Sequence, residues 1–194
     1  MLEAIKTALK IPDLRKKLIW TLVLLGIFRL GSHIPVPGPW DLSRLKAIFG
    51  GDNNLFGLLD LLAGGALQRM SVFAMSVNPY ITSSIILQLL TMVIPRLEQL
   101  AKEGSEGRKV ISQYTRYGTV ILAVIQGSAM AFGLQGAMRN PTAWDYVLII
   151  TTLTAGSVLV MWLGEILSEH GIGNGISMII FAGIVARIVP GALS

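Results

Sequence analysis

Two isoleucine pairs, Ile81 with Ile85 and Ile176 with Ile180, each repeat at a spacing of four, which on a helix sets both members on one face. Pairs of this kind usually serve packing. If they line a common space they do something else: they form a hydrophobic constriction that stops water and ions by dewetting and yields to a bulkier body. Spacing alone leaves both readings open. The stretch around the first pair, Ser71 to Pro95, is apolar and long enough to cross a bilayer, yet Asn78-Pro79 interrupts it and Ser83, Ser84 and Gln88 dot its middle. Hydrocarbon offers such groups no water, so they persist where a helix faces protein neighbours or a wet cavity. A simple anchor needs none of them.

Covalent chemistry finds little purchase. The only histidines, His33 and His170, fall at expected membrane edges without a nearby acid-base or metal constellation. The absence of cysteine removes disulfides, thiolate metal sites and a Cys nucleophile. No Gly-x-x-x-x-Gly-Lys-Ser/Thr loop occurs, so nucleotide energy would have to come from a partner. The run Gly171-Ile-Gly-Asn-Gly175 follows a membrane helix and not a strand, which makes it a tight loop launching the next helix. The reading is of a protein that is not an enzyme and needs no cofactor or metal.

The elements that position these residues follow from hydropathy. Residues are 53% hydrophobic and 14% charged, with a mean hydropathy of +0.65, well to the apolar side of soluble domains. Expected membrane helices span about 18–34, 72–94 (kinked at Pro79), 117–138, 146–167 and 176–190. Residues 1–17 form a cytosolic N-terminus whose first part, Leu2 to Lys10, reads as a short amphipathic interfacial helix. Arg29, near the outer end of the first span, is expected to snorkel to the headgroups, with a role facing the pathway as the alternative. Basic residues Lys6, Lys10, Arg15, Lys16 and Lys17 before the first span, and Arg96 to Arg116 after the second, put both segments on the cytosolic side.

Two shorter segments complete the pattern. Residues 55–67 are apolar but about half as long as a span, with Gly57, Gly64 and Gly65 giving close packing or hinging, as in a re-entrant or capping piece. The stretch 96–116, mixed in charge, reads as a cytosolic loop, flexible in its middle, that either fixes topology or docks a partner. Five crossings put the C-terminus outside and point to one half of an inverted-repeat assembly. The alternative from another class is half of a solute transporter, weakened by the lack of acidic residues at the centres of the second, third and fifth spans.

Several motifs carry a specific resemblance. Ile34-Pro-Val-Pro-Gly38, Asn78-Pro-Tyr-Ile-Thr-Ser-Ser-Ile-Ile-Leu-Gln-Leu-Leu90, Lys102-Glu-Gly-Ser-Glu-Gly-Arg108, Ile111-Ser-Gln-Tyr-Thr-Arg-Tyr117 and the run from Gly171 to Val185 resemble, in this order, the bacterial SecY protein-translocation channel family. The likeness covers essentially the whole chain, but only helices one to five of the family's ten-helix pattern. It implies an all-α polytopic fold with a short re-entrant plug, and a passive conduit for unfolded secretory polypeptides that also releases membrane helices into lipid. By motif, Ile81, Ile85, Ile176 and Ile180 match the pore ring. Leu55, Gly57, Leu58, Leu61, Leu62, Gly64 and Gly65 match the plug, and Gln88 a lateral-gate position. Lys102, Gly104, Gly107, Arg108, Lys109 and Arg116 match the loop that meets a cytosolic partner. Implied partners are SecE and SecG, the SecA motor, the ribosome, signal sequences and preproteins, and membrane lipids, in a bacterial plasma membrane with the N-terminus cytosolic. One departure is Ser76-Val77-Asn78, where the family commonly has Gly-Ile-Met.

Overall fold

The computed structural model describes residues 11–49, 60 and 63–192, and among them it is helical with no strand beyond two isolated bridges. Among the described residues the helices are α1 Pro12–Gly31, α2 Leu42–Phe49, α3 Asn78–Val93, α4 Pro95–Lys102, α5 Ser105–Gly133, α6 Ala143–His170 and α7 Gly175–Ala192, with a 3-10 turn Gln135–Ala137 between α5 and α6. The expected interfacial helix from Leu2 to Lys10 and the plug residues Leu55, Gly57, Leu58, Leu61 and Leu62 lie outside the described residues.

Helices α1, α3, α5, α6 and α7 overlap the five expected spans, with different limits. Among the described residues, helix α6 alone is long and apolar enough to cross a membrane; α3 and α4 meet that criterion as a pair, and Gly175–Ala186 is a shorter apolar stretch. The second span does not begin at residue 72 and is not kinked at Pro79. Residues 72–77 are turns, and Pro79 sits in the first turn of α3, where a missing N–H costs nothing. Ser76 in those turns takes φ +49, the left-handed region that a glycine enters freely. At the other end Ile94 is extended ahead of Pro95, and the chain bends by 103° into α4. Nor is 96–116 a flexible loop: α4 and the first turns of α5 occupy it, separated by Glu103 and a Gly104 at φ +77.

Small side chains set how closely the helices pack. Thr115, Thr119, Ala123, Gly127 and Ala131 form a buried stripe at spacing four along α5, which packs mainly against α6 and α3. Such stripes bring backbones together where no hydrophobic drive separates protein from lipid. The approach of α3 is close enough for Ser83 Oγ to donate to the Thr115 carbonyl at 2.9 Å. Around this seam sit a cluster of Leu24, Phe28, Phe73, Val77, Val160, Leu163, Leu167 and Ile179, and a second of Val36, Met75, Ile149 and Leu153 among others. Outward faces carry Leu22, Leu30, Ile121, Ile125, Trp144 and Trp162, all exposed.

A polar clasp fastens the segment after α1. Asp41 N–H donates to the Ala137 carbonyl at 2.8 Å and Arg139 N–H to the Pro39 carbonyl at 2.9 Å. The Asp41 carboxylate accepts from the Ser43 hydroxyl and, at 3.1 Å, from Arg139 Nε, and Arg44 stands 3.7 Å away. The Ser43 hydroxyl first and Arg139 second hold its pKa down at about 2, below the ordinary 3.8. A depressed carboxyl stabilises the fold fully above pH 3.8, and that contribution disappears as pH falls through about 2. Thermal midpoints taken between neutral pH and pH about 2 are expected to fall over this window, with Asp41→Asn starting lower and following a flatter curve. Parallel curves for the two proteins would mean that the clasp does not hold the folded state.

Candidate functional site: a concavity between α3 and α7

Helix α7 is launched by the loop from Gly171 to Asn174, as the spacing of glycines implies. Gly173 takes φ +72, Asn174 Oδ1 accepts from the N–H groups of Ile176 and Ser177 at 3.0 and 3.2 Å, and Ser168 Oγ accepts from Gly175 N–H at 2.9 Å. This fixes the first turn of α7 against the end of α6 and aims its face at α3. Close to it, Thr21 Oγ1 of α1 accepts from Ile172 N–H at 3.3 Å.

A concavity of about 300 Å³ results, lined by Tyr80, Ile81, Ser84 and Ile85 of α3 and by Asn174, Ile176, Ser177 and Ile180. All four isoleucines singled out from the sequence therefore meet at one space, from two helices. Their settings differ. Ile81, Ile176 and Ile180 are half-buried and pack on the Phe28 and Phe73 cluster, whereas Ile85 is 51% exposed and stands clear of it. Hydroxyl and amide groups interleave with the isoleucines, a pattern that spacing of apolar residues does not disclose.

A second concavity of about 190 Å³ shares Tyr80 and Ile176 and adds Ser112, Arg116, Glu165, Ser168 and Glu169. Within it Arg116 Nε donates to Glu165 Oε1 at 2.9 Å, with the carboxylate side chain only 15% exposed. Arg116, taken from sequence as part of a cytosolic partner loop, is thus a helix α5 residue paired across to α6 beside the isoleucines. A glutamate in the last turns of an apolar helix was the available signal, because such a charge requires a partner.

The other expected site residues fall in two places. Gln88 lies two turns beyond Ile81 on the exposed face of α3, its Nε2 reaching Ser84 Oγ at 3.4 Å. Lys102, Gly104, Gly107, Arg108 and Lys109 lie at the α4 to α5 junction. Lys102 Nζ donates to Glu98 at 2.5 Å and holds that carboxyl below its ordinary pKa, and Lys109 pairs with Glu106 at 2.8 Å. Gly107 is buried, and a Cβ there would sit 1.7 Å from the Leu100 carbonyl oxygen. Of the plug residues, Gly64 and Gly65 are described, at φ +66 and +81. Gly64 lies against the backbone of Gly183 in α7, and Arg29 Nη1 donates to its carbonyl at 3.3 Å, so this arginine turns inward instead of snorkelling.

Comparison with known proteins places this arrangement. The SecY family model matches residues 71–194. The protein translocase subunit SecY of Streptomyces scabiei is 47% identical over 208 residues, covering 100% of this chain and 47% of that protein. Its counterpart in Pseudomonas aeruginosa is 48% identical over 92% of this chain and 41% of that protein. The chain thus spans about half the length of the curated relatives it matches. Among solved structures, Sec61 in the canine ribosome-channel complex from the endoplasmic reticulum superposes with a TM-score of 0.67 at 24% identity, over 92% of this chain and 38% of that one. A SecY structure whose plug domain is described as stabilising the closed state of the translocation channel and maintaining a membrane seal matches with a TM-score of 0.65, at 24% identity over 92% of this chain and 37% of that one. The match over residues 71–194, which hold both isoleucine pairs, shows that the chain belongs to the SecY family.

Proposed function

We propose that this chain forms one side of a protein-conducting channel in a bacterial plasma membrane, with its N-terminus cytosolic and five membrane crossings. The observation that carries the reading is the meeting of Ile81, Ile85, Ile176 and Ile180 at one concavity in a chain of this family. Completed by a facing half, such a set forms a ring that excludes ions at rest: moving a bare ion into an apolar surround costs on the order of tens of kcal/mol in the idealised limit. Residues 55–67 act as the plug below the ring, Gln88 faces the lateral gate, and the α4 to α5 junction around Lys102 to Lys109 meets a cytosolic partner. SecE, SecG, the SecA motor and the ribosome are the partners this reading implies, with signal sequences and unfolded preproteins as cargo and lipid as the exit for apolar helices. Conduction breaks no covalent bond, and the reading includes no catalytic residue.

Site-specific crosslinking of a stalled secretory precursor tests it. In the full-length channel that contains this segment, a photoreactive residue at position 180 or 85 is expected to capture the precursor, and one at 121, on the outward face of α5, to capture lipid. Capture of the precursor at 121 and not at 85 or 180 would overturn the reading.

A further inference from the structure

Arg29 is the only charged residue between Leu18 and Ile34, and its guanidinium spends itself on a backbone carbonyl 35 positions away, that of Gly64. Desolvating a cation within a helical bundle is costly unless it is hydrogen-bonded, so the carbonyl it finds is held as firmly as it holds. The carbonyl is presented by an unusual backbone. Gly64 and Gly65 both take positive φ, and a Cβ at Gly64 would lie 2.9 Å from Gly183 Cα and 3.0 Å from the Gly183 carbonyl oxygen. The segment is thus seated directly on the backbone of α7, three residues beyond Ile180, with α1 reaching over it.

The attachment on its other side is of a different kind. Asp60 is fully buried and its Oδ1 accepts from the N–H groups of Leu67 and Gln68 at 3.0 and 2.9 Å, closing the turn onto itself. Ala63, Ala66, Leu67 and Met70 pack with Leu45, Leu134 and Ala137, away from the isoleucines. Hydrophobic packing and the Asp60 turn therefore give the segment its shape, while, among the described residues, the glycine to glycine approach seats it on α7 and a charge-assisted hydrogen bond from Arg29 ties it to α1.

We infer that Arg29 is a positioning residue: its hydrogen bond latches the glycine turn to α1 while Gly64 rests against Gly183 of α7, and so sets how readily the segment leaves that seat. The link to gating rests on the proposed role of 55–67 as the plug; the latch itself does not.

Hydrogen exchange of the full-length protein in lipid nanodiscs tests the two separately. Arg29→Met keeps the length and apolar stem but removes the donors. Exchange at the amides of residues 64–67 is expected to rise about tenfold, the effect of losing one hydrogen bond to a charged group, while peptides from the centre of α6 stay protected. Arg29→Lys, which retains a cationic donor, is expected to recover part of the protection. Gly64→Ala, which strains the left-handed turn and meets Gly183, should raise the same exchange with Arg29 intact. Unchanged exchange in Arg29→Met, or an equal rise throughout α6, overturns the latch. If exchange rises locally and resting ion conductance rises with it, latch and plug both stand; if conductance stays flat, the latch stands and the plug reading fails.

Discussion

Replacing Ile85 with Asn in the full-length channel is expected to raise resting ion conductance by roughly 10-fold, and Ile85→Asn with Ile180→Asn by up to roughly 100-fold, since each 1.4 kcal/mol removed from a permeation barrier is a factor of ten. The amide holds water in a constriction that isoleucine keeps dry, and a hydrated ion then crosses without shedding as much of its shell. Ile85 is the informative position because it is 51% exposed and outside the core cluster, so its loss costs little folding energy. Ile81, Ile176 and Ile180 touch the Phe28 and Phe73 cluster, so a leak there, that of the double variant included, would mix a wetter pore with looser packing. A planar-bilayer recording that shows equal conductance for wild type and both variants would remove these isoleucines from the ring. Ile85→Leu, which keeps the site apolar, is expected to stay closed.

That test uses residues legible from spacing, and the reason they were legible is local. A repeat of four on a helix puts side chains together whatever the rest of the chain does, so Ile81 with Ile85 and Ile176 with Ile180 needed only their helices to form. The capped loop before α7 was legible for the same reason, since Gly173 and Asn174 act on the next turn. Limits of elements were not. Hydropathy cannot separate an apolar turn from an apolar helix, and Val72 to Val77 is apolar enough to be drawn into a span, although Ser76 at positive φ and Pro79 in a first turn stop the helix at Asn78. Helix α2 was missed because eight residues with Arg44 and Lys46 among them read as connection. The junction of α4 and α5 was hidden by its charges, which are solvated along helix faces and not along a loop.

Partners distant in sequence were not legible. Arg116 finds Glu165 across 49 positions and Arg29 finds Gly64 across 35; each arginine alone has a sufficient bland account as a surface or interfacial charge, and Glu165 signals the need for a partner without naming it. Only packing of α5 on α6, and of α1 over the glycine turn, turns these charges inward. The same holds for the polar members of the concavity. Ser84, Asn174 and Ser177 join the isoleucines because α3 and α7 line one concavity, which no periodicity encodes. The family resemblance supplied the proposed roles, and the geometry adds which neighbours stand beside the residues proposed for them.

Gly156→Ala is expected to cost about 2–3 kcal/mol of stability, because overpacking a site that cannot relax lies at the upper end of such effects. A Cβ at Gly156 of α6 would stand 1.9 Å from the Val72 carbonyl oxygen and 2.8 Å from its carbon, so the obstacle is backbone. Val72 has little room to retreat: its N–H donates to the Ile34 carbonyl at 2.9 Å, and the next residue, Phe73, stacks on Phe28 with ring centroids 5.7 Å apart. The turns that follow, Ala74 N–H to Ser71, Ser76 N–H to Phe73 and Asn78 N–H to Met75, lead directly into α3. A shift at Val72 is therefore carried to Ile81 and Ile85, and the variant is expected to leak as well as to unfold early. Gly31→Ala meets the Phe73 ring at 2.1 Å, a buried side chain that can tilt only by giving up its stacking, and should fall between. Gly133, with nothing within 4 Å of a Cβ, is the control, and its change to Ala is expected within about 1 kcal/mol of wild type. Thermal midpoints in one detergent rank the three; equal midpoints for Gly156→Ala and Gly133→Ala would show that α6 and Val72 are not packed backbone to backbone, and with that the support proposed here for the start of α3 would fall.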